Sequence, residues 1–235
     1  MKRNENVCLV CEKPLKYFTK PITMECHFCH QKFSSYACCE DEHYVCDECH
    51  SKKGIEAINE FCMNTDSTDP IYIVQSIMEN PYIYMHGPEH HTIVGAALIA
   101  AYHNAGGDID LEKALTEMHE RGKQCPGGTC GFWGCCGAAV SVGMFMSIIT
   151  DTTPLSTRTW GMSNEITSKA LAKIASYGGP RCCKRNSFTA ILTATEYIRE
   201  RLGISMSLPE QVVCSHSDEN HECLGRRCPY FSKYK

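Results

Sequence analysis

Apolar positions recur at helical spacing through most of residues 70–208, and residues that start or stop a helix bound each run. Pro88 and Glu89 open a run through Ile93, Ala97 and Ala100 that stops at Gly106 and Gly107. Proline and an acid suit a first turn, and glycine suits the exit. Asp110 can cap the next helix, with Leu111, Leu115 and Met118 on one face and Gly122 beyond its end. Residues 131–149 are apolar on every side, the pattern of a central buried helix. A segment over 163–176 follows and closes at Gly178, Gly179 and Pro180. Phe188, Ile191, Leu192, Thr195, Ile198 and Leu202 then keep helical spacing up to Gly203. No stretch alternates as a strand. The expected fold class is mainly α, a helical bundle.

The two flanks follow a different rule. Residues 1–62 hold nine cysteines and four histidines with little apolar periodicity, so metal must supply the stability that burial cannot. A polar, turn-forming stretch over 64–70 marks a boundary. The chain therefore divides into a zinc-binding module (1–63), an all-α domain with a cysteine pocket (70–208) and a Cys/His-rich tail (209–235).

The whole chain carries 18 cysteines, and their spacing favours metal over disulfides. Cys-x-x-Cys pairs occur at Cys8/Cys11, Cys26/Cys29 and Cys46/Cys49, a spacing that lets two thiolates grip one ion from a single turn. Vicinal pairs at Cys38/Cys39, Cys135/Cys136 and Cys182/Cys183 close disulfides only with strain. Residues 1–7 show no apolar run resembling a signal peptide, so a reducing, cytoplasmic setting is expected. Residues 127–150 are free of charge and long enough to span a bilayer, but they open with glycines and cysteines and lack a flanking basic cluster. A buried helix is expected there instead. The net charge of −4 gives no sign of a nucleic-acid partner.

In the first flank, Cys8/Cys11 and Cys26/Cys29 stand 14 residues apart, the spacing of a four-cysteine zinc ribbon. Cys38 or Cys39, His43, Cys46 and Cys49 can complete a second site. A cross-braced arrangement, in which the first and third ligand pairs share one ion, is equally open. Zinc suits such ligands because it takes four thiolates or imidazoles and needs no redox partner. The module can also dock a protein partner. In the tail, Cys214, His216, Cys223 and Cys228 form another metal-ligand set, alongside His221, and Cys228-Pro229 is the ending common after the last ligand of an iron–sulfur motif.

The central chemistry lies between the flanks. Cys125, Cys130, Cys135 and Cys136 fall within twelve residues, separated by glycines, and lead into an apolar helix. Cys182 and Cys183 repeat the arrangement between Arg181 and Lys184. Cysteines at helix N-termini are expected to be thiolates at neutral pH. A [4Fe-4S] cluster fits such a pocket, with Cys125, Cys130, Cys135 and Cys182 as candidate ligands. Cys135, Cys136, Cys182, Cys183 and His90 are the candidate catalytic groups acting on a small-molecule substrate, with His86, His90 and His91 able to move protons near neutral pH. All six central cysteines are expected to meet in one pocket.

The motifs over 130–137 (Cys-Gly-Phe-Trp-Gly-Cys-Cys-Gly), 153–156 (Thr-Pro-Leu-Ser) and 178–185 (Gly-Gly-Pro-Arg-Cys-Cys-Lys-Arg) resemble those of an uncharacterised domain family of anaerobic bacteria and methanogenic archaea. The resemblance covers roughly residues 70–230. It implies an oxygen-poor setting in which a cluster is workable. Cys135-Cys136-Gly137 is also similar to the Cys-Cys-Gly motif of heterodisulfide-reductase-type cluster domains, without their downstream Cys-x-x-Cys. The expected function is thus metal-dependent: an iron–sulfur or thiolate-centred enzyme of redox or sulfur-transfer chemistry, or a zinc-binding adaptor or metal/redox sensor.

Overall fold

The computed structural model describes residues 7–232. It opens with a two-stranded antiparallel sheet, β1 (Leu15–Glu25) and β2 (Lys32–Cys39), running from the Leu15–Cys39 pair to the Glu25–Lys32 pair. This corrects the expectation that no strand forms. Both faces of β1 are largely exposed, so no apolar alternation announces it. The ladder is irregular between Tyr17 and Ile22, on either side of Pro21, which cannot donate to it.

Tight turns close both ends of the sheet, and they share one geometry. The Cys8 amide bonds the Lys13 carbonyl and the Glu12 amide bonds the Cys8 carbonyl; Cys26, Gln31 and His30 repeat the pattern. Glu12 and His30 both take positive φ, 60° and 58°, to complete it. Each turn leaves its two cysteines side by side.

Eight α-helices follow among the described residues. The first, α1 (Asp47–Asn64), starts directly at Cys46, and its Ile55, Ile58 and Cys62 pack into the core of the helical body. Next come α2 (Pro70–Met78), α3 (His90–Asn104) and α4 (Leu111–Gly122). Asp69 caps α2 by accepting from the Ile71 and Tyr72 amides, and Asp110 caps α4 by accepting from Lys113. A single turn, α5 (Thr129–Phe132), precedes α6 (Gly137–Ile149), α7 (Arg158–Tyr177) and α8 (Cys183–Leu202).

The central helix is α3 rather than the segment over 131–149. Every residue from His90 to Tyr102 is buried, because α1, α2, α4, α6 and α8 all pack around it. The 131–149 segment is broken at Gly134, whose φ of 66° ends α5, and Trp133 stands exposed. Among the described residues, no helix is long and apolar enough to cross a membrane.

The tail has little regular structure beyond a 3-10 turn over Gly225–Arg227, yet it is sewn to the body. The Ser207 amide bonds the Thr68 carbonyl, Gln75 Nε2 donates to the Val213 carbonyl, and the Tyr230 hydroxyl meets Thr189 Oγ1 at 3.0 Å. The N-terminal module is also tied down. Asp47 accepts from the Gly127 amide at 2.6 Å, Tyr36 stacks on Phe132, and Arg181 donates to the Tyr17 hydroxyl.

Candidate metal centres

Two quartets of ligand atoms converge in the N-terminal module: Cys8, Cys11, Cys39 and His43 in one, Cys26, Cys29, Cys46 and Cys49 in the other. All four atoms of each lie within 4.8 Å of one another. The Cys11 and Cys39 sulfurs are 3.7 Å apart, and those of Cys29 and Cys46 are 3.8 Å apart. Four ligands at about 2.3 Å from a tetrahedral ion stand roughly 3.8 Å apart, so these sets fit a metal ion. The pairing is cross-braced, first with third and second with fourth. The ribbon pairing of Cys8/Cys11 with Cys26/Cys29 is not formed, because the sheet holds the two turns at opposite ends.

The surroundings favour deprotonated sulfur at Cys26 and Cys39, whereas burial raises the thiols of Cys46 and Cys49. Val10 donates to Cys8, His43 to Cys39, and the Cys46 amide to Cys26, each at 3.3 Å. Burial works against a Cys26 thiolate, but the amides of Cys46, Cys29 and Phe28 bring its pKa down to about 6. Burial likewise opposes Cys39, and the amides of His43 and Asp41 hold it below the ordinary value. His43 Nδ1 is buried with no hydrogen-bond partner. Cys38 belongs to neither quartet; burial pushes its thiol up. Cys62 is a core residue, raised by burial to about 12.

Cys136 lies within electrostatic reach of Cys125, Cys130 and Cys183, and Cys125 also of Cys135, while Cys182 faces the tail. Cys125 and Cys135 line an open surface hollow with Arg121, Thr129, Trp133 and Met144. Cys136 accepts from Asn186 Nδ2 at 3.4 Å. Cys182 is the N-cap of α8, accepting from the Arg185 amide, and its side chain turns toward the tail, where Asn220 Nδ2 also donates to it. Cys183, one residue on, turns the other way. It receives the Gly87 amide and lies within electrostatic reach of Cys136, Glu89 and Arg181. Of the four expected cluster ligands, Cys182 faces the tail rather than the other three: the chain changes direction at the α8 start and sends the two vicinal thiols to different places.

Helix starts do not make these sulfurs thiolates unaided. Burial raises Cys125, Cys130 and Cys182, and pushes Cys183 up to about 12. Desolvation outweighs the helix dipole for a thiol with no cation bound.

The histidines are equally buried. His90 is enclosed, its Nδ1 lying 3.2 Å from the Gly87 carbonyl and 3.3 Å from Glu89 Oε1, while its Nε2 has no partner. Burial and the nearby Lys184 lower its pKa to about 4, so the ring is neutral at neutral pH. Glu89 is itself fully buried, with His50 Nδ1 3.7 Å from Oε2, and neither carboxylate oxygen accepts a hydrogen bond among the described residues. His91 Nδ1 contacts the Cys125 carbonyl at 2.8 Å, which ties α3 to the central loop. His86 Nε2 lies 2.7 Å from Glu222 in the tail.

Cys214, Cys223 and Cys228 line an enclosed cavity together with Cys182, and His216 shares its wall. Sequence reading overlooked Glu89, His50, Asn186 and Asn220. The signals were faint: His50 directly follows a ligand, and Asn186 lies one turn beyond Cys182.

Fold and site together define a helical domain fronted by a cross-braced, metal-binding cysteine module. The model of a family of unknown function, DUF5714, matches residues 58–231, and the chain belongs to that family. The match starts within α1, so both quartets lie outside it. Neither the curated proteins nor the solved structures contain a match.

Proposed function

We propose that the protein is a metal-dependent enzyme of redox or sulfur-transfer chemistry, in which zinc holds the cross-brace and thiols of the helical body react. Zinc suits the two quartets because their donors are thiolates and one imidazole, and because a redox-inert ion fixes loops without competing chemistry. The observation that carries the enzymatic reading is that Cys183, at one helix start, lies within electrostatic reach of Cys136, at another, and of the buried Glu89, against which His90 packs. Glu89 and His90 line that spot with a buried carboxylate and a neutral imidazole whose Nε2 has no hydrogen-bond partner among the described residues.

For sulfur transfer, a cysteine thiolate attacks the terminal sulfur of a small persulfide. The sulfur–sulfur bond of the donor breaks, a new one forms on the cysteine, and the donor leaves as a thiolate. A reducing cytoplasm in an oxygen-poor cell would keep these thiols in use. The test is anaerobic incubation with cysteine persulfide followed by mass spectrometry. One added sulfur on Cys136 or Cys183, lost in the Cys136→Ser/Cys183→Ser variant, is expected. Sulfur spread only over the exposed cysteines would overturn the reading. A second reading, a zinc-clamped adaptor, is favoured by Ile22 and Phe28, apolar side chains exposed on the module as a protein-docking surface would have them.

A further inference from the structure

The cavity between the start of α8 and the tail is walled by four cysteines, Cys182 from the helix start and Cys214, Cys223 and Cys228 from the tail. Its apolar walls are Met85, Leu224, Tyr230 and Phe231. The sulfurs are not drawn together as in the module. No three ligand atoms among these cysteines and His216 lie within 4.8 Å of one another, whereas each N-terminal quartet meets that limit. A single tetrahedral zinc needs sulfurs roughly 3.8 Å apart. Thiolates around a cubane stand farther apart, on the order of 6–7 Å.

Each sulfur is furnished for negative charge. Cys182 accepts from the Arg185 amide and from Asn220 Nδ2, Cys214 from the His216 amide, and Cys223 from the Gly225 amide, all at 3.4 Å. The Tyr230 and Phe231 amides serve Cys228. The side chains of Lys184 and Arg185, both buried, complete the wall. Their cationic heads donate to the carbonyls of Ile83, Tyr84, Gly178 and Pro180, so it is the N–H donors aimed at sulfur that favour an anion in this cavity. Hydrogen bonds to sulfur and an apolar wall are also the levers by which a protein sets a cluster's potential. Cys228 is followed by Pro229, which removes one competing amide from the turn.

We propose that Cys182, Cys214, Cys223 and Cys228 bind a [4Fe-4S] cluster in this cavity, stapling the tail to α8. The inference deepens the redox reading above by placing its electron carrier, and it is tested separately from the Cys136/Cys183 chemistry.

The full-length chain, reconstituted anaerobically with ferrous iron and sulfide, should take up about four of each. It should show broad visible absorbance that bleaches on reduction and a paramagnetic signal in the reduced state. The Cys214→Ser/Cys223→Ser variant should lose all of this while keeping its module zinc and helical signal. The Cys125→Ser/Cys135→Ser variant should bind like the parent. Asn220→Ala, which keeps every ligand, should retain the cluster but lower its reduction potential by removing a donor to Cys182. Uptake of a further zinc in place of iron would overturn the proposal. So would a cluster that survives without Cys214 and Cys223, or one that is lost with Cys125 and Cys135. Whichever result is found, persulfide mapping at Cys136 and Cys183 is read independently.

Discussion

Cys38 and Cys39 occupy neighbouring positions of β2, so their side chains leave opposite faces of the strand. One joins Cys8, Cys11 and His43; the other is buried as an ordinary small apolar side chain. Cys182 and Cys183 part in the same way at the start of α8. Vicinal cysteines here are two single residues with separate neighbours rather than a chemical unit. Metal content should register the difference. Cys39→Ser is expected to lower bound zinc from about two ions per chain to about one, because a tetrahedral site that loses a thiolate loses most of its affinity. Cys38→Ser should leave the content unchanged, and elemental analysis of both variants against the parent decides it. Equal losses would mean the two cysteines exchange roles.

Helices α7 and α8 are joined across their exposed edge by Glu165, which accepts from the Tyr197 hydroxyl at 2.7 Å and pairs with Arg201 at 3.1 Å. The Tyr197 hydrogen bond, aided by Arg201, holds the Glu165 pKa below its ordinary 4.5. A carboxylate whose folded pKa is depressed contributes stability above its unfolded pKa and loses it as pH falls toward the folded value. Stability should therefore decline as pH drops below about 4.5, and Glu165→Gln should flatten that part of the decline. Denaturant midpoints measured across the acid range check this. An acid limb of unchanged slope in the variant would assign the decline to other carboxylates. The contact is largely exposed, so the effect is small at neutral pH.

At the level of the whole molecule, α1 joins two kinds of stability. Its start carries Cys46 and Cys49 of a metal quartet, and its later turns place Ile55, Ile58 and Cys62 in the apolar core. The sheet has no such core of its own. Chelation of zinc from the full chain should strip hydrogen-exchange protection from β1, β2 and the first turn of α1, while α3, α6 and α8 keep theirs. Exchange mass spectrometry before and after chelation reads this directly. Loss of protection throughout the helical body would mean that module and body unfold as one unit.

Helix placement was legible from sequence because its signals are local. Asp110, the glycine stops and the apolar spacing of 188–202 lie within a few residues of what they control. Metal binding was legible too, since Cys-x-x-Cys fits one turn and needs no distant partner to be recognised. The strands escaped because knuckles at their ends hold them, not a buried face. The identity of the central helix escaped because residues 90–102 and 137–149 are both apolar, and only the surrounding helices reveal which is enclosed. Which cysteine shares a site with which was decided by tertiary structure alone. Which side chains meet depends on where the sheet and the α8 turn carry residues that stand up to 46 positions apart in sequence, as Cys182 and Cys228 do in lining one cavity. Spacing along the chain specifies that a residue can bind, and the fold specifies what it binds with.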